Sequence, residues 1–382
     1  MTSRILMYSS YFPPEFSGAA RQALLLAREL RRLGHSVEFL TVRRAGLAAR
    51  EQIDGFQVTR LEAGRGRKHR ELKLWWNMLC FLFARRGDFD VLHSHGAYYT
   101  NAIVGPFARL LGKRSVVKAS LAQDDLHQGP RSLVNWAHRL FLRRVDVCVA
   151  ISRQLKQEFE ALGIRPERLQ SLPNAVDDVH FHPVSADERA RHRVRFGLPP
   201  DRPIFLFAGV IDERKNINWL ADVWCAQDAF GSQGLLLVLG PQSRDDPSGL
   251  LTCRLQALQA QYPDRLMWAG SCDDPRDRLQ AADAFILPSL KEGLPNALLE
   301  AMACGLPCVA ARSSGNAELV VDGETGVLYE AADVDSLAAA CSWALSAAGR
   351  EAGGRARQLV ERKYSIRSLA ERYAGLYRDL FS

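Results

Sequence analysis

Short, wholly apolar runs recur along the chain, each followed by a loop carrying Gly or Pro and then by a segment of helical period. The first such unit runs from residues 5–8 through a loop at 9–20 to an amphipathic segment at 22–33 that closes on Gly34. Strand-like pieces follow at 37–42, 91–93, 115–118 and 146–150, with helix-period stretches at 72–84 and 133–142 between them. Residues 184–200 are polar, rich in Arg and end in Pro-Pro, which reads as a linker containing a short helix. A second series then begins at Ile204–Ala208, Leu235–Leu239, Leu266–Trp268, Ala284–Leu287 and 308–310, with a last apolar piece at 326–329 after the polar turn 322–325. Strands alternating with helices specify an α/β chain with parallel, doubly wound sheets. Two such series in tandem specify two Rossmann-like halves. Residues 366–381 return to helical period, with Leu369, Tyr373, Leu376 and Leu380 on one face.

At 382 residues, 47% hydrophobic and 24% charged, the chain has material for about two domains and lacks the bias of disordered or fibrous proteins. No apolar run approaches the ~20 residues of a membrane-crossing helix. Residues 1–9 hold no basic segment, long apolar stretch or cleavage site, so a cytoplasmic location is expected. Eight cysteines without a CxxC pair suit reduced, mostly buried thiols rather than a disulfide framework or a zinc site. The formal charge is +7, and it is unevenly spread: residues 1–180 hold 28 Lys and Arg against 17 Asp and Glu, the remainder 22 against 26. A basic first half points to an anionic partner: phospholipid headgroups, a lipid diphosphate or nucleic acid. No recognition motif accompanies the charge, so nucleic acid is not expected.

The segment from Leu287 to Pro307, LPSLKEGLPNALLEAMACGLP, carries the most chemistry. A strand ends at Pro288, a loop carries Glu292 and Gly293, and a helix opens with Pro295 in its first turn and stops at Gly305. That helix N-terminus lies at the carboxyl end of the sheet, where free N–H groups and the helix dipole favour an anion such as a diphosphate. Glu300, about five residues in, stands ~7–8 Å from the mouth at roughly 1.5 Å per residue. This is about the span from a diphosphate to a ribose, so one carboxylate can take sugar hydroxyls and the other ribose hydroxyls. A second constellation, FAGVIDERKNIN at 207–218, ends a strand in Gly209 and places Arg214 and Lys215 just before an apolar-periodic helix. Cations there oppose the helix dipole and look placed for an anion.

Glu292 and Glu300 form an E-x7-E pattern inside PS-x2-EGLPNALLEAMACGLP. With Lys215-Asn216 after a strand, SLPNAVD at 171–177 and RLGHSV at 32–37, the chain resembles the family 4 retaining glycosyltransferases of GT-B fold, and does so over nearly its whole length. The resemblance implies two Rossmann-like domains facing across a cleft: 1–180 binding the acceptor, 181–365 the nucleotide sugar, and 366–382 a helix returning to the first domain. It implies a hexosyltransferase in which Glu292 meets donor-sugar hydroxyls, Glu300 the ribose, and Lys215 with a nearby Arg the diphosphate. Gly209, Gly293, Leu294 and Asn296 complete the donor side of that half. Gly18, in the loop after the first strand, is the small residue that lets backbone N–H groups approach the phosphate. Three positions depart from the family pattern: Val210 stands where an Arg is usual, leaving Arg214 to supply that charge; Ala19 replaces a second glycine; and a His common at the end of strand 115–118 is replaced within Lys118-Ala119-Ser120. The loop Gln123-Asp124-Asp125-Leu126-His127 is the polar group to look to instead, with Asp124 and Asp125 as acceptor contacts.

Asp88-Phe89-Asp90 precedes a strand and Asp333-Val334-Asp335 lies in a late polar loop, so both read as turn and cap residues rather than a metal-holding D-x-D. No metal or cofactor is therefore expected beyond the nucleotide-sugar co-substrate, UDP- or GDP-linked, with Arg214, Lys215 and a helix N-terminus stabilising the departing diphosphate. The route the family implies puts departure and acceptor attack on one face. A GT-B epimerase or hydrolase and a silent nucleotide-sugar-binding subunit are the other readings. His93 and His95 share a strand face without an evident third metal ligand; His95 is either an acceptor contact or a plain strand-end residue. The basic, aromatic run 65–86 suits a membrane interface or a core helix with a basic flank. The expected acceptor is a saccharide or a lipid-diphosphate-linked molecule, in bacterial envelope polysaccharide assembly.

Overall fold

A computed structural model describes residues 2–64, 67–126, 133–227, 230 and 234–382. The chain forms two compact units, residues 1–175 with Ile366–Ser382, and Val176–Ser365. Arg65, Gly66 and His127 of the sequence reading fall outside the described residues.

The first unit holds β1 (Arg4–Ser9), β2 (Ser36–Val42), β3 (Arg50–Ile53), β4 (Phe56–Leu61), β5 (Val91–His95), β6 (Arg114–Lys118), β7 (Val147–Ala150) and β8 (Leu169–Ser171). Their order is β3-β4-β2-β1-β5-β6-β7-β8, parallel throughout except for the β3–β4 hairpin. That hairpin turns on Asp54 and Gly55, both at positive φ (59° and 73°), the backbone of a tight hairpin turn. One face of the sheet is covered by helix Gly18–Arg32 and by helix Ile366–Asp379. Ala20, Ala23 and Ala27 of the first and Ile366, Leu369, Ala370, Tyr373 and Tyr377 of the second share a core cluster with Met7, Phe39, Val116 and Val149. At about 25 cal/mol per Å² of apolar surface removed from water, burial of this kind is what holds the late helix in the first unit.

The helix expected from residue 22 starts instead at Gly18, because the Ser17 side chain accepts from the Ala20 N–H and caps it. Gly18 is thus the first helical residue, not a loop residue. The thiols divide: Cys148, Cys225, Cys304, Cys308 and Cys341 are buried, whereas Cys80 and Cys253 are exposed.

The second unit holds β9 (Ile204–Ala208), β10 (Leu235–Leu239), β11 (Leu266–Trp268), β12 (Ala284–Leu287), β13 (Cys308–Ala311) and β14 (Val327–Tyr329) in the order β11-β10-β9-β12-β13-β14, all parallel. The chain winds one way from β9 and the other way from β12. The topological switch point therefore falls between these two strands, where open α/β sheets bind their ligands. The polar segment before β9 does carry a helix, Ala186–Arg195, tied to the sheet by Arg193 on Asp283 (2.5 Å) and on the Pro200 carbonyl (2.7 Å). Arg357 on helix Ala347–Lys363 gathers the carbonyls of Phe181, Ala303 and Asp178, fixing the unit's last long helix before the chain leaves it.

Candidate functional site

The loops leaving β9 and β12 meet at the switch point. After β9, Asp212 caps a single 3-10 turn, Glu213–Lys215, by accepting from the Lys215 N–H (2.8 Å), and Asn216 then takes a left-handed conformation (φ 54°) ahead of helix Ile217–Ala226. This turn aims Arg214 and Lys215 at the neighbouring loop. Leu290 N–H donates to the Arg214 carbonyl (3.0 Å), and Arg214 Nη1 donates to the Lys291 carbonyl (2.9 Å). Lys215 Nζ then reaches Glu292 Oε1 at 2.5 Å, and Arg214 Nη1 stands 3.2 Å from Oε2. Residues 77 apart in sequence are thus brought together by two adjacent strand ends.

Glu292 is almost wholly buried. Burial alone would push its carboxyl up, but the Lys215 ammonium and the Arg214 guanidinium overcome that and hold it below the usual carboxylate range. Close backbone approach makes room for this cluster. A Cβ on Gly315 would lie 2.7 Å from the Glu292 carbonyl, and one on Gly240 (φ 152°) would strike the Gly209 carbonyl. Only glycine at both positions lets the loops close this tightly. Gly209 itself leaves room beside the Lys215 stem, 3.5 Å from where its Cβ would be.

Beyond Glu292, buried Gly293 and Leu294 lead to Pro295, the cap rather than a first-turn residue of helix Asn296–Ala303. The helix has no side-chain cap bond and no acid in its first turn, a terminus whose dipole favours negative charge nearby. Glu300 is buried on the same helix, and Gly305 (φ 72°) ends it. Arg214, Lys215 and Glu292 thus meet at the two strand ends with Gly209 beside the Lys215 stem, while Gly293, Leu294, Asn296 and Glu300 follow Glu292 along the same loop and helix. Asp212, Gly240 and Gly315 were not singled out from the sequence; an Asp three residues before Lys215 was a legible cap signal, whereas the glycines act through contacts that are not local.

The remaining predicted positions lie in the first unit. Asp125 is fully buried: its Oδ2 accepts from the Ser120 N–H (2.5 Å), the Ser120 hydroxyl (2.9 Å) and the Ala97 N–H (3.4 Å). It braces the loop between β6 and the following helix, in place of the open acceptor contact expected. Asp124 is half-buried beside it. His95 is likewise enclosed, its ring 4.3 Å from that of His93, which meets the Tyr377 hydroxyl at 2.8 Å. Both D-x-D segments serve as read: Asp90 pairs with Arg4 (2.7 Å), and Asp333 caps helix Val334–Leu345. Among the described residues, no group of three or more His, Cys, Asp or Glu is placed to hold a metal ion.

Comparison with known proteins gives the family. Residues 188–364 match the family model described as glycosyl transferases group 1, and residues 17–175 match the glycosyl transferase 4-like domain. The chain is 25% identical to the N-acetyl-alpha-D-glucosaminyl L-malate synthase of Bacillus anthracis, over 96% of this chain and 95% of that one. It is 30% identical to the D-inositol 3-phosphate glycosyltransferase of Xylanimonas cellulosilytica, over 81% of this chain and 79% of that one. Among solved structures, Anabaena Alr3699/HepE in complex with UDP-glucose superposes with a TM-score of 0.80 at 15% identity, covering 99% of this chain and 100% of that one. With the paired loops at the switch point of the second sheet, and with both units matched along their length, the chain belongs to the family 4 retaining glycosyltransferases of GT-B fold and is a hexosyltransferase.

Proposed function

We propose that the second unit holds a UDP- or GDP-hexose or N-acetylhexosamine, that the first unit holds the acceptor, and that transfer proceeds with retention and without a metal ion. The observation that carries this reading is the convergence of Lys215 and Arg214 on buried Glu292 beside an uncapped helix N-terminus. Two cations and a helix dipole supply the positive field that a leaving diphosphate needs. Glu292, in the loop before helix Asn296–Ala303, and Glu300, within that helix, supply acceptors for sugar and ribose hydroxyls. The bond from the anomeric carbon to the diphosphate breaks as that carbon bonds the acceptor oxygen on the same face. The acceptor proton passes to the departing diphosphate. UDP is the first donor nucleotide to try, since the similar Anabaena protein holds UDP-glucose.

The test is a screen of UDP- and GDP-sugars for release and transfer, with and without membrane extract and with and without EDTA. Acceptor-dependent release from one donor, unchanged within twofold by EDTA, is the expected result. Loss of transfer in EDTA that Mg²⁺ or Mn²⁺ restores would sink the metal-free reading, and release that ignores acceptor would favour a hydrolase.

The acceptor reading extends to a membrane surface, in envelope polysaccharide assembly. Helix Arg67–Ala84 buries Leu74, Met78 and Leu82, yet leaves Leu72, Trp76 and Phe83 strongly exposed. At 3.6 residues per turn these three fall within a stripe about 40° wide. Trp75 of the same helix packs on Tyr99 and Phe141, and helix Leu133–Leu142, which carries Phe141, exposes Val134 and Trp136. Arg70 and Lys73 are exposed near one end of the stripe, and Arg86 lies over Phe83 at the other. Aromatic side chains between cations suit an anionic lipid interface. Sedimentation with phosphatidylglycerol vesicles is expected to capture the protein, and the Trp76→Ser, Phe83→Ser double variant at least fivefold less. Equal capture of both proteins would remove the membrane from this reading. No described helix is long and apolar enough to cross a bilayer.

A further inference from the structure

At the amino ends of the second unit's strands lies a cavity of about 470 Å³, within the size range of small-molecule sites. Four arginines line it: Arg189 and Arg193 from helix Ala186–Arg195, Arg202 from the loop before β9, and Arg350 from helix Ala347–Lys363. Two carboxylates stand with them, Asp201 and Asp283. Residues 181–382 hold more acid than base, 26 Asp and Glu against 22 Lys and Arg, so an excess of cations in one cavity runs against its surroundings.

Internal pairing does not use up that charge. Asp283 accepts from Arg193 Nη2 (2.5 Å), Arg189 Nη1 (3.2 Å) and the Ile204 N–H (2.7 Å), so a single carboxylate is shared by two guanidiniums. Arg193 and Arg350 also donate to main-chain carbonyls, of Ala281 (3.0 Å) and Leu345 (2.8 Å), and Arg202 donates to those of Asp264 and Gly234. Carbonyls satisfy N–H groups but cancel no charge. Each guanidinium carries five donors in a planar fork, the geometry that grips a phosphate by two oxygens at once. Pro203, Pro307 and Leu345 add an apolar wall. A cationic, donor-rich and partly apolar lining matches a phosphorylated small molecule with an uncharged body.

The cavity is separate from the switch-point cluster. β9 starts beside it at Ile204 and ends at Ala208, ahead of Arg214 and Lys215; its five residues, at about 3.3 Å each, put roughly 16 Å between the two places. No single diphosphate reaches both.

We propose that this cavity is a second anion site of the chain, one that takes a phosphorylated small molecule other than the donor nucleotide. Arg193, the buried member, fixes the wall through Asp283, and Arg189, Arg202 and Arg350 supply the phosphate contacts. This assignment stands on charge and space in the second unit and does not depend on the transfer reaction.

Isothermal titration of inorganic pyrophosphate into the full chain, in saturating UDP and without divalent metal, tests it, with the Arg189→Gln, Arg350→Gln double variant and Asp201→Asn beside wild type. Wild type is expected to take up pyrophosphate at one site that UDP leaves open, and the double variant to bind it about tenfold or more weakly. Asp201 is exposed, has no ion-pair partner among the described residues, and opposes an anion in the cavity; Asp201→Asn leaves the arginine contacts intact and is expected to bind roughly twofold tighter. Absence of binding, or binding of equal strength in the double variant, overturns the site. Displacement of pyrophosphate by UDP assigns it to the donor cluster and overturns the proposal as well. Should the double variant unfold several degrees below wild type, Asp201→Asn decides: affinity no greater than that of wild type removes the site.

Discussion

Substituting Lys215 by alanine is expected to lower kcat for sugar transfer by about 10²–10³-fold, the usual cost of removing one preorganised charge from a developing anion. Lys215 and Glu292 are both largely buried and 2.5 Å apart, so neither acts alone. Without Lys215, Glu292 keeps only Arg214, whose guanidinium is already shared with Asp212 and the Lys291 carbonyl. Without Glu292, two adjacent cations lose the carboxylate between them. Breaking a buried pair from one side costs about 3–5 kcal/mol. Glu292→Ala should therefore lose both transfer and thermal stability, whereas Glu292→Gln should keep more of the fold and still lose transfer. Steady-state kinetics run beside thermal unfolding separates the two effects. A Lys215→Ala protein with kcat within fivefold of wild type would show that this ammonium does not meet the leaving diphosphate.

The second large effect concerns pH and lies in the other unit. Burial first, then the charge of Lys118, brings His93 down to about 3, and His95 is lowered well below its ordinary value by burial, His93 and Lys118. An unfolded chain takes up protons at these positions near 6.5, but the folded chain does not until far lower. The unfolded state thus binds more protons across this window. Stability is complete above about pH 7 and falls as the pH drops toward 3. At 1.36 kcal/mol per pH unit, His93 alone costs about 3 kcal/mol at pH 4.5, a large part of the roughly 5–15 kcal/mol that holds a domain together. His93→Gln, which keeps a polar partner for the Tyr377 hydroxyl, should lose about 5–10 °C less in Tm between pH 7.5 and 4.5 than wild type does. Parallel Tm curves for the two proteins would rule out this histidine as the source of acid sensitivity.

The second unit was the more legible from sequence. Ile204–Ala208 and Leu235–Leu239 are buried along their whole length, and a strand covered on both faces is written as an unbroken apolar run. The hairpin β3–β4 was missed because β3 alternates exposed and half-buried residues; Asp54-Gly55 was the turn signal that could have found it. Three-residue β8, with Gln170 and Ser171 exposed, carries no pattern to read. At the switch point, the strand–loop–helix grammar and the glutamate spacing identified the residue types. The grip of Lys215 on Glu292 could not be read, since it depends on β9 and β12 being neighbours. Asp125 and His95 show the opposite failing. Polar residues at strand ends look open in a sequence, yet here the loop amides enclose one and the covering helices the other.

Helix Ile366–Asp379 belongs to the core of a unit whose other residues end at Ala175, with the 190 residues of Val176–Ser365 made in between. During synthesis at ~5–20 residues per second, the first sheet waits roughly 10–40 s for the side chains of Leu369, Tyr373 and Tyr377 to reach it. Throughout that interval an apolar face lies open on the nascent chain. Chaperones that shield apolar surface are expected to raise its yield while the ribosome is still at work. The yield of folded enzyme should then depend on translation speed through the second unit as much as on final stability.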